Sequence, residues 1–195
     1  MSKYIFILLL LSFIVQSKPL LPQTYGILNE KAPKWEINQW YQLPEGKKQL
    51  ELSDFKGKVI YLFCFQAWCP GCHKYGFPTL KYVMNQFKND SEVVFIAIQT
   101  TFEGFKYNGF EQAKQVAKQY NLNIPIGQSG SKNERSKFMV KYRTGGTPWV
   151  IIIDKQGIVR YNNFHIHPKK AVRLIRLLKT GYQKGQNRRE TALGI

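Results

Sequence analysis

Acidic residues are scarce in this chain of 195 residues, with 12 Asp and Glu against 29 Lys and Arg and a formal net charge of +17. Such an excess of positive charge suits an acidic partner or anionic lipid headgroups. The sequence contains no nucleic-acid-binding module, so we expect no nucleic acid as a partner. Because the lysines are spread along the whole chain, a solvated basic surface accounts for most of the charge.

Cysteine and histidine are also scarce, with three residues of each. A chain of this length can bury a proper core without disulfides, so the cysteines are not needed as a stabilising framework. His165 and His167 alternate in FHIHP, which predicts that they share one face of a strand. Two ligands fall short of the three or four that a metal site usually has. We therefore expect no metal and no other cofactor.

The apolar run near the N terminus, from Ile5 to Val15, is short and is interrupted by Ser12. Lys3 precedes it and Ser17 ends a suitable cleavage sequence, so residues 1–17 are expected to be a secretory signal peptide. An uncleaved membrane anchor is the alternative, although eleven residues at ~1.5 Å each reach only ~17 Å of a ~30 Å hydrocarbon layer. Export would place the protein in a periplasmic or other extracytoplasmic compartment, where a cysteine pair can cycle.

After this segment, we expect an irregular stretch over residues 18–30, one folded domain over 31–180, and a basic, disordered tail over 181–195. Strands and helices alternate within the domain and a hairpin lies near its end, which predicts an α/β sheet covered by helices. Strands are predicted at 47–52, 59–65, 92–100, 149–154 and 158–163. Helices are predicted around 69–87, 109–122 and 168–181, the first of them containing Pro78.

The sequence Cys69-Pro70-Gly71-Cys72 follows a buried strand and lies where a helix is expected to begin. Free backbone N–H groups and the positive end of the helix dipole stabilise a thiolate at that place. Cys69, at the exposed first position, is therefore expected to be a nucleophile with a lowered pKa. Cys72, one turn later on the same side, is expected to resolve the mixed disulfide.

His73 follows Cys72 directly, so the motif also matches the attachment signal for a c-type haem, with His73 as axial ligand. Haem attachment requires neither the upstream buried strand nor the Thr-Pro sequence that comes later. We therefore expect His73 to be an exposed residue of the first helical turn, with at most a modest effect on the thiol pKa. Cys64 is expected to be a small buried hydrophobic residue; a rescue disulfide or a peroxidatic role is the weaker alternative.

Three segments together resemble the thioredoxin superfamily: LSDFKGK, then FQAWCPGC after an apolar strand, then GGTPWVIIID some 75 residues later. More narrowly, they resemble the exported TlpA- and ResA-like thiol-disulfide oxidoreductases, which overlap the AhpC/TSA-type redoxins. The resemblance spans roughly residues 31–178. It implies a thioredoxin-like α/β fold, with a central mixed β-sheet flanked by helices and, here, an N-terminal extension. It also implies that the protein reduces disulfides of partner proteins and receives electrons from an upstream thiol donor.

The resemblance implies further site residues. Pro148 would follow a cis peptide bond and face the dithiol, and the backbone of Thr147 would pair with a substrate strand. Trp68 would flank the site as an apolar contact. Three other functions stay open: a peroxidase, a disulfide-forming oxidant and a non-enzymatic binding module. The Pro-x-x-x-Thr-x-x-Cys pattern of redoxin peroxidases is missing ahead of Cys69.

The chain departs from these relatives at three places. Phe63 stands where thioredoxins carry a buried Asp, and no acidic residue follows Cys72 closely, although many TlpA- and ResA-like proteins have a Glu there. The helix proline, Pro78, comes six residues after Cys72, whereas five is usual. The proton acceptor for Cys72 is therefore open, with Glu103 as one candidate.

Overall fold

The computed structural model describes residues 25–181. The predicted signal peptide at 1–17 and all but the first residue of the tail at 181–195 lie outside the described residues and stay predictions. Within 25–181, no helix has the length and apolar character needed to cross a membrane.

A six-stranded mixed sheet forms the centre of the fold, in the order β1-β4-β3-β2-β5-β6. Strands β2, β3 and β4 are parallel to one another, whereas β1, β5 and β6 each pair antiparallel with a neighbour. The strands are β1 (Gln39–Tyr41), β2 (Val59–Phe65), β3 (Val93–Thr100), β4 (Ile126–Ser129), β5 (Trp149–Ile153) and β6 (Val159–Phe164).

Within residues 25–181, four α-helices cover the two faces of this sheet. They are α1 (Phe77–Gln86), α2 (Phe110–Gln119), α3 (Lys137–Tyr142) and α4 (Pro168–Lys179). Buried residues of α1, α2 and α4 share one hydrophobic cluster, and those of α3 belong to a second cluster. The predicted sheet flanked by helices is confirmed.

Strand β2 is buried along its whole length because both of its faces are covered. Alternate side chains point to opposite faces of a strand. Tyr61, Phe63 and Phe65 accordingly pack with α1, whereas Leu62 and Cys64 pack in the cluster that contains α3. This alternation decides which side chains lie beneath the helix that carries the dithiol.

The predicted strand at 47–52 is wrong. Residues 47–51 form no strand or helix and Leu52–Phe55 form a 3₁₀ turn, although Leu50 is buried. The polar edge strand β1 takes the outer position instead, where it pairs with β4. Both strands were missed because Gln39–Tyr41 has three residues and Ile126–Ser129 contains Gly and polar residues, so neither shows an apolar period.

The predicted helix over 69–87 is present, but it contains a π-helical turn at Cys72–Gly76. The helix begins at Pro70, widens over this turn and continues as α1. A single extra residue in a helix is accommodated by such a turn, and π-helical turns are frequent at functional sites. The π-helical turn thus corresponds to the six-residue spacing from Cys72 to Pro78, and it begins at the second cysteine of the pair.

Candidate active site

The cysteine pair lies at the end of β2, where the chain turns into the helix that begins at Pro70. Cys69 is half-buried, and the backbone N–H of Cys72 donates a hydrogen bond to its Sγ at 3.4 Å. The Sγ of Cys69 lies 3.6 Å from the carbonyl oxygen of Thr147. Cys72 is completely buried. All three cysteines are free thiols.

The two thiols have strongly different acidities. Hydrogen bonding from the Cys72 thiol, helped by the Thr147 side chain and the N–H groups of Cys72 and Gly71, lowers the pKa of Cys69 to about 5. Burial raises the pKa of Cys72, and its hydrogen bond to Cys69 adds to that rise. At neutral pH the reduced pair therefore holds one accessible thiolate and one buried thiol, which suits a nucleophile and a resolving cysteine.

The loop ahead of β5 packs against this pair. The peptide bond between Thr147 and Pro148 is cis. A Cβ placed on Gly71 would lie 3.3 Å from Pro148 Cδ, and one on Gly76 would lie 3.0 Å from Pro148 Cβ. The two glycines allow the first turns of the helix to approach the loop closely. The structure thus brings Cys69, Cys72, Thr147 and Pro148 together.

We predict that Gly76→Ala destabilises the protein. The added Cβ would lie 2.6 Å from Cζ of the fully buried Phe63 ring, so the ring or the helix has to move. Overpacking of this kind costs about 1–3 kcal/mol against a gain of about 1 kcal/mol for Gly→Ala in a helix, so a net loss of up to about 2 kcal/mol is expected. The measurement is the urea midpoint. Gly146→Ala is the control, because nothing lies within 4 Å of its added Cβ.

The floor of the site is apolar. Phe63, at the position of the thioredoxin Asp, stacks on Phe65 with ring centroids 5.9 Å apart and meets Phe77 edge-on at 5.1 Å. No carboxylate is among the groups that shift the pKa of Cys72. Glu103 is exposed on the loop after β3 and is likewise not one of those groups, so the structure does not support it as the proton acceptor.

His73 is half-buried and not exposed, contrary to the prediction. Its Nε2 lies 2.6 Å from the carbonyl oxygen of Ala67, and its Nδ1 lies 2.8 Å from the hydroxyl oxygen of Tyr120. Because a carbonyl only accepts, Nε2 carries a hydrogen and donates to the oxygen of Ala67. Both ring nitrogens are engaged within the protein, so neither is free to act as an axial haem ligand in this conformation.

A buried network of side-chain amides holds the loop that leads into Cys69. Gln99 Oε1 accepts from the N–H of Ala67 at 3.0 Å, and Asn108 Oδ1 accepts from the N–H of Trp68 at 3.3 Å. Asn108 Nδ2 also donates to Gln66 Oε1, and Gln99 Nε2 donates to Gln128 Oε1. This network could not be predicted from the sequence, because isolated Gln and Asn residues give no pattern there.

We predict that Asn108→Ala weakens the hold on the loop that contains Trp68. Asn108 is 1% exposed. Its loss leaves the N–H of Trp68 without its acceptor and removes one of the two donors to the amide oxygen of Gln66, which keeps the N–H of Phe102. An unpaired group of this kind costs about 1–3 kcal/mol when it is buried. A lower denaturation midpoint and slower thiol exchange are expected. Asn85→Ala, on the exposed face of α1, should change neither.

Several aromatic side chains are exposed at Trp68 and on the loop after β3. Trp68, directly before Cys69, is 46% exposed, and its indole lies beside the backbone of Gly104. Phe102, Phe105 and Tyr107 are also exposed on the loop after β3. Asn108 joins that loop to Trp68, the residue directly before Cys69.

The remaining cysteine and histidines lie apart from the pair. Cys64 is fully buried in the cluster on the other face of the sheet, where burial raises its pKa, as expected for a structural residue. The prediction that His165 and His167 share a strand face is wrong. Strand β6 ends at Phe164, His165 has φ of 44°, and His167 caps α4. Among residues 25–181, no group of three or more His, Cys, Asp or Glu side chains could hold a metal ion.

The order of strands and the dithiol at the helix N terminus, opposite a cis-proline loop, define a thioredoxin-fold protein. The model of the AhpC/TSA family matches residues 28–162. The thiol-disulfide oxidoreductase ResA of Bacillus cereus is 30% identical over 132 residues, which cover 68% of this chain and 66% of that relative. The chain thus spans slightly less than two thirds of the length of such relatives. It belongs to the AhpC/TSA family.

Solved structures agree with this assignment. A thioredoxin-like superfamily protein is 29% identical with a TM-score of 0.70, and the alignment covers 78% of this chain and 97% of that one. A thiol-disulfide isomerase from Corynebacterium glutamicum is 25% identical with a TM-score of 0.67, over 77% and 98% of the two chains. The predicted fold is confirmed.

Proposed function

We propose that the protein is an exported thiol-disulfide oxidoreductase that reduces disulfides of partner proteins. The observation that carries this proposal is the pairing of a half-exposed Cys69 thiolate with a buried Cys72 thiol at one helix N terminus. The similarity to a ResA thiol-disulfide oxidoreductase and a thiol-disulfide isomerase supports the same chemistry.

In the first step, the Cys69 thiolate attacks one sulfur of the partner disulfide. The partner's other sulfur leaves as a thiolate and takes a proton, so a mixed disulfide joins Cys69 to the partner. In the second step, Cys72 loses its proton and attacks Cys69, which releases the partner's second thiol. The protein ends with a Cys69–Cys72 disulfide, the partner disulfide is reduced, and an upstream thiol donor has to supply two electrons for the next cycle.

Substrate capture would use the backbone next to the pair. The carbonyl of Thr147 lies beside Cys69, so an extended segment of the partner would pair with the Thr147 backbone as an added strand. Pro148 would keep the loop against the dithiol, and the exposed Trp68 would supply an apolar contact. Such pairing places the partner sulfur near Cys69 and imposes little sequence preference by itself.

The reducing direction rests on the resemblance to reducing relatives of the TlpA and ResA kind. The low pKa of Cys69 acts in the opposite sense, since a stabilised thiolate favours the reduced protein and makes the pair more oxidising.

The proposal that the protein is exported rests on the N-terminal sequence. Mass spectrometry of the secreted protein should show a mature N terminus after Ser17, whereas an intact N terminus would favour the anchor.

The activity is tested by reduction of insulin with dithiothreitol as the electron source, with peroxide consumption measured in parallel. We expect catalysed insulin reduction that far exceeds peroxide consumption. Fast peroxide consumption would instead establish the peroxidase. Activity in neither assay would favour a binding module.

A further inference from the structure

A groove near the cysteine pair is lined by two arginine side chains. It has a volume of about 470 Å³ and lies between α3, the loop that follows α3 and the loop after β3. We call it the arginine groove. Its principal lining residues are Tyr25, Phe102, Arg135, Met139, Arg143 and Gly145.

Both walls of the arginine groove are connected to segments that contact or precede Cys69. Gly145 lies two residues before Thr147, whose carbonyl oxygen is 3.6 Å from Cys69 Sγ. On the opposite wall, the N–H of Phe102 donates to Gln66 Oε1 at 3.4 Å, within the loop that precedes Cys69. An extended peptide advances ~3.3 Å per residue. A strand paired with Thr147 would therefore carry residues about two to four positions from its cysteine across the groove.

The arginine groove lacks a carboxylate of its own. Arg135 and Arg143 are exposed, and no ion pair among residues 25–181 includes either of them. The carboxylates near α3 are already engaged, because Glu36 pairs with Lys137 and Lys141, and Glu134 pairs with Lys137. Glu103, next to Phe102, does not line the groove.

Two unpaired guanidinium groups favour a carboxylate, which they can bind through paired N–H donors. The lining also holds apolar groups of Tyr25, Phe102 and Met139, together with the polar residues Ser136 and Thr144. Such a surface accepts an acidic side chain together with an apolar neighbour and disfavours a basic one.

We propose that the arginine groove selects partner segments that carry Asp or Glu about two to four residues from the reactive cysteine. The proposal deepens the proposed thiol-disulfide exchange and rests on it. Recognition would add to the sequence-independent pairing with Thr147, so it would appear as faster reaction with acidic partners.

The test uses short peptides that each carry one cysteine as a mixed disulfide with methanethiol, a neutral leaving group. One peptide has Glu about three residues from the cysteine, and the matched ones have Gln or Lys there. The reduced protein converts the mixed disulfide to free peptide thiol and methanethiol while Cys69 and Cys72 form a disulfide. We expect the second-order rate constant for this single turnover to be about tenfold higher for Glu than for Gln, and the difference to shrink as salt is raised.

The double variant Arg135→Gln/Arg143→Gln should reduce the Glu and Gln peptides at similar rates. Lys169→Gln/Arg173→Gln is the matched control, because it removes the same charge from the exposed face of α4. It should keep the preference. Equal rates in the natural protein, a preference that survives in the arginine variant, or an equal loss in the control would overturn the proposal.

Binding to the Cys69→Ser/Cys72→Ser variant separates this proposal from the proposed function. Tighter binding of the Glu peptide with no exchange by the natural protein would leave the groove's selectivity intact and refute only the exchange. Exchange without any difference in binding or rate would refute only the selectivity.

Discussion

Cys69→Ser should lower disulfide reduction by about 10³-fold or more, because the hydroxyl of Ser cannot replace a thiolate nucleophile at neutral pH. Cys72→Ser should behave differently. Cys69 still attacks the partner disulfide in this variant, but nothing resolves the intermediate, so the protein accumulates as a covalent mixed disulfide. Insulin reduction measures the first effect, and mass spectrometry of the adduct measures the second.

Cys64→Ala is the matched control for both cysteine variants. Cys64 is fully buried on the other face of the sheet from Cys72, so its removal should lower stability modestly and leave the rate of disulfide reduction unchanged. An adduct that forms equally well with Cys69→Ser, or a loss of activity in Cys64→Ala at full folding, would contradict the assignment of nucleophile.

Alkylation of Cys69 by iodoacetamide should reach its full rate at a much lower pH than alkylation of an ordinary thiol. The Cys72 thiol and neighbouring N–H groups lower the pKa of Cys69 to about 5, so the thiolate fraction rises through pH 5 and is nearly complete above about pH 6. An ordinary thiol, with pKa about 8.5, has roughly 300-fold less thiolate at pH 6. A thiolate of lower pKa is also roughly 30-fold less nucleophilic, so a net advantage of roughly tenfold is expected at pH 6.

The pH profile of the alkylation rate, followed by mass, is the measurement, with the urea-unfolded chain as reference. Cys72→Ser removes the thiol that contributes most to the lowered pKa, so its profile should shift to higher pH. An inflection near pH 8 to 9 in the natural protein would show that the surroundings of Cys69 do not stabilise its thiolate.

The fold could be predicted largely because its central strands and its last helix have clear hydrophobic patterns in the sequence. Continuous apolar runs marked β2, β3 and β5, and the amphipathic pattern of residues 168–181 marked α4. Short elements gave no such signal. Residues 47–52 alternate like a strand but stay irregular until the turn at Leu52, whereas β1 and β4 form at the sheet edge because tertiary pairing outweighs their local preference.

The site could be predicted only in part, because some of its residues form short local motifs and others are far apart in the sequence. Cys69-x-x-Cys72 and Thr147-Pro148 are adjacent pairs or short motifs, so the sequence displays them directly. The contact of His73 with Tyr120 spans 47 positions and that of Trp68 with Asn108 spans 40, so neither leaves a local pattern. The spacing from Cys72 to Pro78 was visible as a departure, but its π-helical turn required the structure.

The reduction potential of the cysteine pair tests the central claim most directly. The protein is equilibrated with glutathione or dithiothreitol buffers, and the free thiols are then trapped and assigned by mass. We expect reversible two-electron exchange confined to Cys69 and Cys72, with a potential near or below about −250 mV. A potential near about −120 mV would contradict the reducing direction, and a pair that never exchanges would contradict the whole account.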